Sequence, residues 1–171
     1  MNEIFPIVKV IMPAEAAPGS IIRISRSGDT VYALVTNQER SESSASVVFL
    51  NFKQSQYPSV VLVRNWRFTD SCLCYDAGIE FELNSDLVDP SGHKWWETSG
   101  VIVPVQDKLY IRASRSDGTY GYPHLVNIQT GELFTGEQQV GSWAFGGWTL
   151  WVRDSHCKRS IKLCDFKVNS Q

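Results

Sequence analysis

Apolar and polar residues alternate along most of this chain with a period of two. The alternation is sharpest at residues 79–83, where Ile79, Phe81 and Leu83 share one side and Glu80 and Glu82 the other. It returns at residues 148–152. The apolar, branched residues 4–12, around the single Lys9, and the continuous apolar run 60–63 read as buried strands, and residues 46–52 as a strand with Val48, Leu50 and Phe52 on one face. No stretch carries the 3.6-residue period of an amphipathic helix. Ala14, Glu15, Ala16 and Ala17 have helical propensity but lie between Pro13 and Pro18, too few residues to repay nucleation, so they predict a connector or a single turn. The polar residues 37–46 predict an exposed loop, residues 65–72 a turn or sheet rim, and the glycine-rich residues 141–147 an irregular segment. Residues 161–168 bury different faces at their two ends, which a bulge would reconcile.

Turn residues recur every eight to twelve positions, and about ten to twelve short strands result. An all-β antiparallel sandwich is the expected fold class, because one flat sheet would leave an apolar face in water.

Ile22, Arg23, Ile24, Ser25, Arg26 and Ser27 are followed by Gly28-Asp29, and Ile111, Arg112, Ala113, Ser114, Arg115 and Ser116 by Asp117-Gly118. Both stretches predict hairpins. A second echo joins Trp66, Arg67, Asp70, Ser71 and Cys72 to Trp151, Arg153, Asp154, Ser155 and Cys157. The chain is expected to be one domain, 1–171, with repeat units 18–74 and 107–159; chance convergence of polar hairpins is the other account.

Composition sharpens this picture. With 171 residues, 43% of them hydrophobic, the chain is large enough to bury a core without staples. A net charge of -2 offers no cationic excess for phosphate backbones, which argues against a nucleic-acid partner. No run approaches the roughly 20 apolar residues of a transmembrane helix, and Met1 to Pro6 lack a signal-peptide pattern, so a cytoplasmic location is expected. Cys72, Cys74, Cys157 and Cys164 are spaced poorly for zinc and are expected to be reduced, with no metal and no cofactor.

Catalytic motifs are absent, so no catalytic residue is assigned and a non-enzymatic protein is expected. Glu80 and Glu82 on one strand face are the best paired acids, although alternating Glu on a solvated face is ordinary. Tryptophan is the informative excess: five of six are Trp95, Trp96, Trp143, Trp148 and Trp151. An indole is a flat apolar plate with one N–H donor, suited to stacking on a sugar or anchoring a protein contact, and equally to filling a core. Adjacent Trp95 and Trp96 cannot both face inward if extended, so Trp96 and Trp143 are the expected exposed members. The candidate ligand-binding set is Trp95, Trp96, Tyr122, His124, Ser142, Trp143 and Trp148, on aromatic loops of a lectin-like, carbohydrate-binding domain. The other expectation is a structural protein whose Trp-rich loops and edge strands build a homo-oligomer; a glycan or a protein is accordingly the expected partner.

Overall fold

In a computed structural model, residues 5–6, 8–26, 28–53, 58–116, 123–136, 143–154 and 158–169 are described. Strands β1 (Lys9–Ile11), β2 (Ile21–Arg26), β3 (Asp29–Val35), β4 (Ser44–Phe49) and β5 (Val61–Arg67) open the chain. They are followed by β6 (Cys72–Tyr75), β7 (Ile79–Leu83), β8 (Val88–Asp89), β9 (Ile102–Val105) and β10 (Lys108–Arg115). The last four are β11 (His124–Asn127), β12 (Ala144–Phe145), β13 (Gly147–Arg153) and β14 (Ser160–Lys167). Pro13–Glu15 is a single 3-10 turn, as its flanking prolines predict.

Eleven strands form one sheet in the order β1-β6-β2-β3-β4-β5-β10-β9-β12-β8, with β11 also against β10. A second sheet has the order β14-β13-β7. The all-β expectation holds in this coarser form, a large curled open sheet with a small one, and not as a purely antiparallel sandwich. β5 and β10 run parallel, pairing Val61 with Ser114 and Leu62 with Arg115. Parallel neighbours need a long crossover, supplied here by everything between Arg67 and Lys108. β10 pairs antiparallel with β9 over its first half and meets β5 only at its end.

Curling gives the large sheet two apolar faces. Ile21, Leu34, Val48, Leu62, Ile102, Ile111 and Val126 pack toward Trp148, Leu150, Val152 and Cys164 of the small sheet, forming the main core. The alternate residues Ile22, Ala33, Val35, Val47 and Phe49 gather with Cys72 and Cys74 in a second core. Trp95, Val101, Val103, Tyr110 and Leu125 make a third, on the other side of β9 and β10.

Several local expectations change. β5 continues through Trp66 to Arg67 where a turn was expected, because Asn65 takes a left-handed φ of 49° and donates its N–H to the Ser46 hydroxyl at 3.1 Å, absorbing a register irregularity against β4. Ser44 and Ser46 are buried instead of lying in an exposed loop, each hydroxyl being satisfied locally: Ser44 with Ser41 at 2.7 Å, and Ser46 with Asn65. Phe52 does not share the face of Val48 and Leu50, because the strand ends at Phe49 and the chain delivers the ring to the second core, stacked on Phe49. Residues 144–145 and 147 lie in strands despite their glycine-rich surroundings. A Cβ on Gly146, where the chain passes from the large sheet to the small one, would lie 2.8 Å from Val168 and 2.9 Å from Trp95. β14 contains the expected irregularity: Leu150 pairs with Cys164 and Trp151 with Lys162, leaving Leu163 as the extra residue.

The first hairpin has Arg26 opposite Asp29, a two-residue reversal. In the second, β10 pairs with a strand beginning at His124, opposite Ala113. Residues 117–122 between them lie outside the described residues.

Candidate functional site

The tryptophans separate into core and surface. Trp148 is 2% exposed, stacked on Phe166 at 5.7 Å and edge-on to Phe81 at 5.2 Å, and its indole N–H donates to the Gly100 carbonyl at 2.7 Å. Trp95 is 9% exposed and packs in the third core. Neither presents a ring to a ligand, and burying 150–250 Å² of aromatic surface explains why the fold keeps them inside. Trp96 is half-buried, and Trp143 is 55% exposed. The stretch is a turn and not the extended segment that the expectation for Trp95 and Trp96 assumed, and Trp96 is half-buried where exposure was expected: Trp96 N–H donates to His93 O at 3.3 Å and Thr98 N–H to Trp95 O at 3.0 Å. Of the polar candidates, His124 is half-buried at the start of β11, while Tyr122 and Ser142 lie outside the described residues.

Trp143 immediately precedes β12, whose Ala144 pairs with Asp89 of β8. One register step further places Trp143 alongside Pro90, at the root of the loop formed by residues 89–96. Asp89 builds that loop. Its carboxylate accepts from the Ser91 hydroxyl at 2.7 Å, the Ser91 N–H at 3.0 Å and the Lys94 N–H at 2.7 Å. Burial alone would raise the Asp89 carboxyl; the hydrogen bonds from Ser91, Lys94 and Gly92 outweigh it and hold the group below the usual carboxylate range. Ser91, His93 and Lys94 are exposed on the same loop.

Arg112 fixes the loop from beneath. Only 3% exposed, it donates from Nη1 to the Trp95 carbonyl at 2.5 Å, and its guanidinium lies 4.9 Å from the centre of the Trp96 ring. Burial pushes its pKa down to about 10 while Asp89 pulls it up, so it remains a cation at neutral pH. Arg112 of the repeated hairpin pattern is therefore an interior support. The equivalent Arg23 of the first hairpin is exposed.

Glu80 and Glu82 share one partner. Arg153 Nε lies 3.0 Å from Glu80 and Nη2 2.8 Å from Glu82, with the guanidinium over the Trp151 ring at 5.2 Å. A common cation on an outer sheet face is a structural tie between the two carboxylates. Cys72, Cys74 and Cys164 are buried free thiols; burial raises Cys72 to about 11 and Cys164 to about 12. No group of three or more metal-ligating side chains occurs among the described residues. Among the same residues, no helix is long and apolar enough to cross a membrane.

Sequence reasoning missed a further aromatic group. Phe49, Phe52, Trp66 and Phe68 interlock, and Arg26 from the end of β2 covers Phe52 at 5.1 Å and Trp66 at 5.3 Å. The available signal was the alternation of Trp66 with Phe68, had residues 65–68 been read as strand. Comparison with known proteins finds no matching family model, no matching curated protein and no matching solved structure.

Proposed function

We propose that this chain is a non-enzymatic ligand-binding β protein whose contact surface is Trp143 and the adjoining loop of residues 89–96, with carbohydrate as the ligand class. The observation that carries the reading is the exposure of Trp143, at 55%, in a fold that buries Trp95 and Trp148. Solvating an indole forfeits a large hydrophobic gain, so an exposed ring beside a rigid polar loop suits a contact surface. The ring would stack on the apolar face of a sugar, and the Ser91 hydroxyl, His93 and Lys94 would bond its hydroxyls. Asp89 and Arg112 stiffen the loop and so lower the entropy lost on binding.

The second reading, a self-associating structural protein, is favoured by Val10, which is 70% exposed on the edge strand β1. A Trp143→Ala variant separates the two in glycan-array binding and sedimentation. Loss of glycan signal at least thirtyfold with unchanged mass, about 2 kcal/mol, supports the carbohydrate reading. Dissociation of an oligomer supports the structural one. Wild-type glycan binding that survives the substitution removes Trp143 from the site.

The paired hairpins and the Trp/Cys echo motivate an internal duplication as a companion proposal. Ile22 and Ile111 are both fully buried, although Ile22 packs in the second core and Ile111 in the main one.

A further inference from the structure

We infer that a second binding site, for the anionic group of a sulfate or phosphate monoester, lies where the large sheet splits between β2 and β6. In an antiparallel ladder, successive residues turn their N–H and C=O alternately to the two neighbouring strands. Val35 N–H donates to Ser20 O at 2.9 Å, so residues 20, 22, 24 and 26 face β3 and residues 21, 23 and 25 face β6. The β2–β6 ladder runs from Ile21 opposite Tyr75 to Arg23 opposite Leu73, and there it stops. Ile24 and Cys72 are unpaired with each other, although β6 stays attached to β1 through Cys72 and Ile11. By the same alternation Ser25 and Ser71 turn backbone groups toward one another across the gap, and no hydrogen bond joins them.

The split opens a groove of about 340 Å³ lined from both strands. Direct opposition in the registers puts Val10, Leu73 and Arg23 on one face, with Ser25 opposite Thr30 beyond them. Its polar side chains are one guanidinium, the Cys72 thiol and three hydroxyls, those of Ser25, Thr30 and Ser71; no carboxylate lines it. Arg23 makes no ion pair among the described residues and only a 3.5 Å contact to the Thr30 hydroxyl. The set is rich in donors and carries a net positive charge, the inverse of a cation site. A carboxylate offers two oxygens, whereas a sulfate or phosphate monoester presents three terminal oxygens to a guanidinium and converging hydroxyls. Val10, 70% exposed, and half-buried Leu73 form an apolar shelf beside the donors for the organic part of the ester. This site draws on neither Trp143 nor the loop of residues 89–96, so it stands whether or not that surface binds sugar.

The test is titration of the full chain with inorganic phosphate, inorganic sulfate, phenyl phosphate and phenyl sulfate, followed by amide chemical shifts and calorimetry. The phenyl esters should bind at least tenfold tighter than the inorganic ions, moving the Ser25 and Ser71 amides, and the preferred ester identifies the anion. Arg23→Gln should weaken binding at least tenfold, and Ser71→Ala threefold or more, with thermal midpoints unchanged because both residues are exposed. Arg26→Gln, in the same strand but directed at Phe52 and Trp66, is the control for general charge attraction. Equal weakening by Arg23→Gln and Arg26→Gln, unmoved Ser25 and Ser71 amides, or no ester binding at millimolar concentration would overturn the inference.

Discussion

Replacing Trp148 and Trp143 in parallel tests whether burial has been assigned to the correct ring. Trp148→Ala removes a side chain packed between Phe81 and Phe166 in the main core and leaves a cavity that the three-stranded sheet cannot close without moving β13. Truncations of this kind destabilise by about 3–5 kcal/mol. For a chain of this size each kcal/mol shifts the midpoint by roughly 2–4 °C, so the loss should be roughly 6–20 °C. Trp148→Phe isolates the polar component: the ring remains largely filled, but the buried Gly100 carbonyl loses the indole N–H, a loss of about 1–3 kcal/mol. Trp143→Ala should stay within about 0.5 kcal/mol of wild type. Urea denaturation followed by far-UV circular dichroism, with calorimetry for the midpoints, reads all three. The reasoning fails if Trp148→Ala unfolds at the wild-type midpoint, or if Trp143→Ala destabilises as much as Trp148→Ala.

Gly100→Ala should be worse than Gly28→Ala although both glycines have positive φ, 92° and 85°: a Cβ at Gly100 falls 2.4 Å from the Phe166 ring, and at Gly28 it meets nothing within 4 Å. Left-handed strain of about 1–2 kcal/mol is common to both, and crowding adds about 1–3 kcal/mol at Gly100 alone; equal urea midpoints would refute the distinction. Burial, reinforced by Asp165, holds the Cys164 thiol at about 12 in the folded chain, whereas an unfolded thiol ionises near ~8.5. The raised thiol therefore contributes its full stability below the unfolded value and loses it as pH climbs toward the folded one, because the unfolded chain releases its proton first. Relative to Cys164→Ala, wild type should lose stability between pH ~8.5 and ~10.5 by up to about 1.4 kcal/mol per pH unit. A difference that stays flat across that range would mean the thiol is not buried.

Local physics made the strands legible. β7 and β13 were readable because one face of each is more open than the other, which in β7 makes Ile79, Phe81 and Leu83 alternate with the exposed Glu80 and Glu82. At β4 the pattern predicts a strand from residue 46 but reads its start at Ser44 as loop, since residues 44–50 are all buried and a strand covered on both faces has no polar period to display. Strand order was not legible. Nothing in Cys72, Leu73 and Cys74 announces that they insert between β1 and β2, and without that insertion the split at Ser25 and Ser71 is invisible. Arg112 misled for a related reason. Its position in the hairpin pattern is polar, and only the packing of the loop carrying Trp95 and Trp96, distant along the chain, encloses it. Within the candidate surface, the exposure of Trp143 was recognisable from the glycine-rich stretch 141–147 around it, while the role of Asp89 rested on a turn signal that could not say what the turn would support.

The parallel contact between β5 and β10 has a bearing on how this molecule is made. Ser114 and Arg115 meet residues more than 50 positions earlier, and β7 leaves the first half of the chain to pair with β13 in the second. Such contacts reward the chain only after long loops have closed, which slows folding and makes it depend on the whole polypeptide. During synthesis, β5 would emerge well before β10, with the backbone at Val61 and Leu62 still lacking its partner on that side, and β7 would wait longer for β13. A ribosome making this protein therefore exposes sticky strand edges until β13 has been delivered, and a fragment cut between β7 and β13 would recreate those edges permanently.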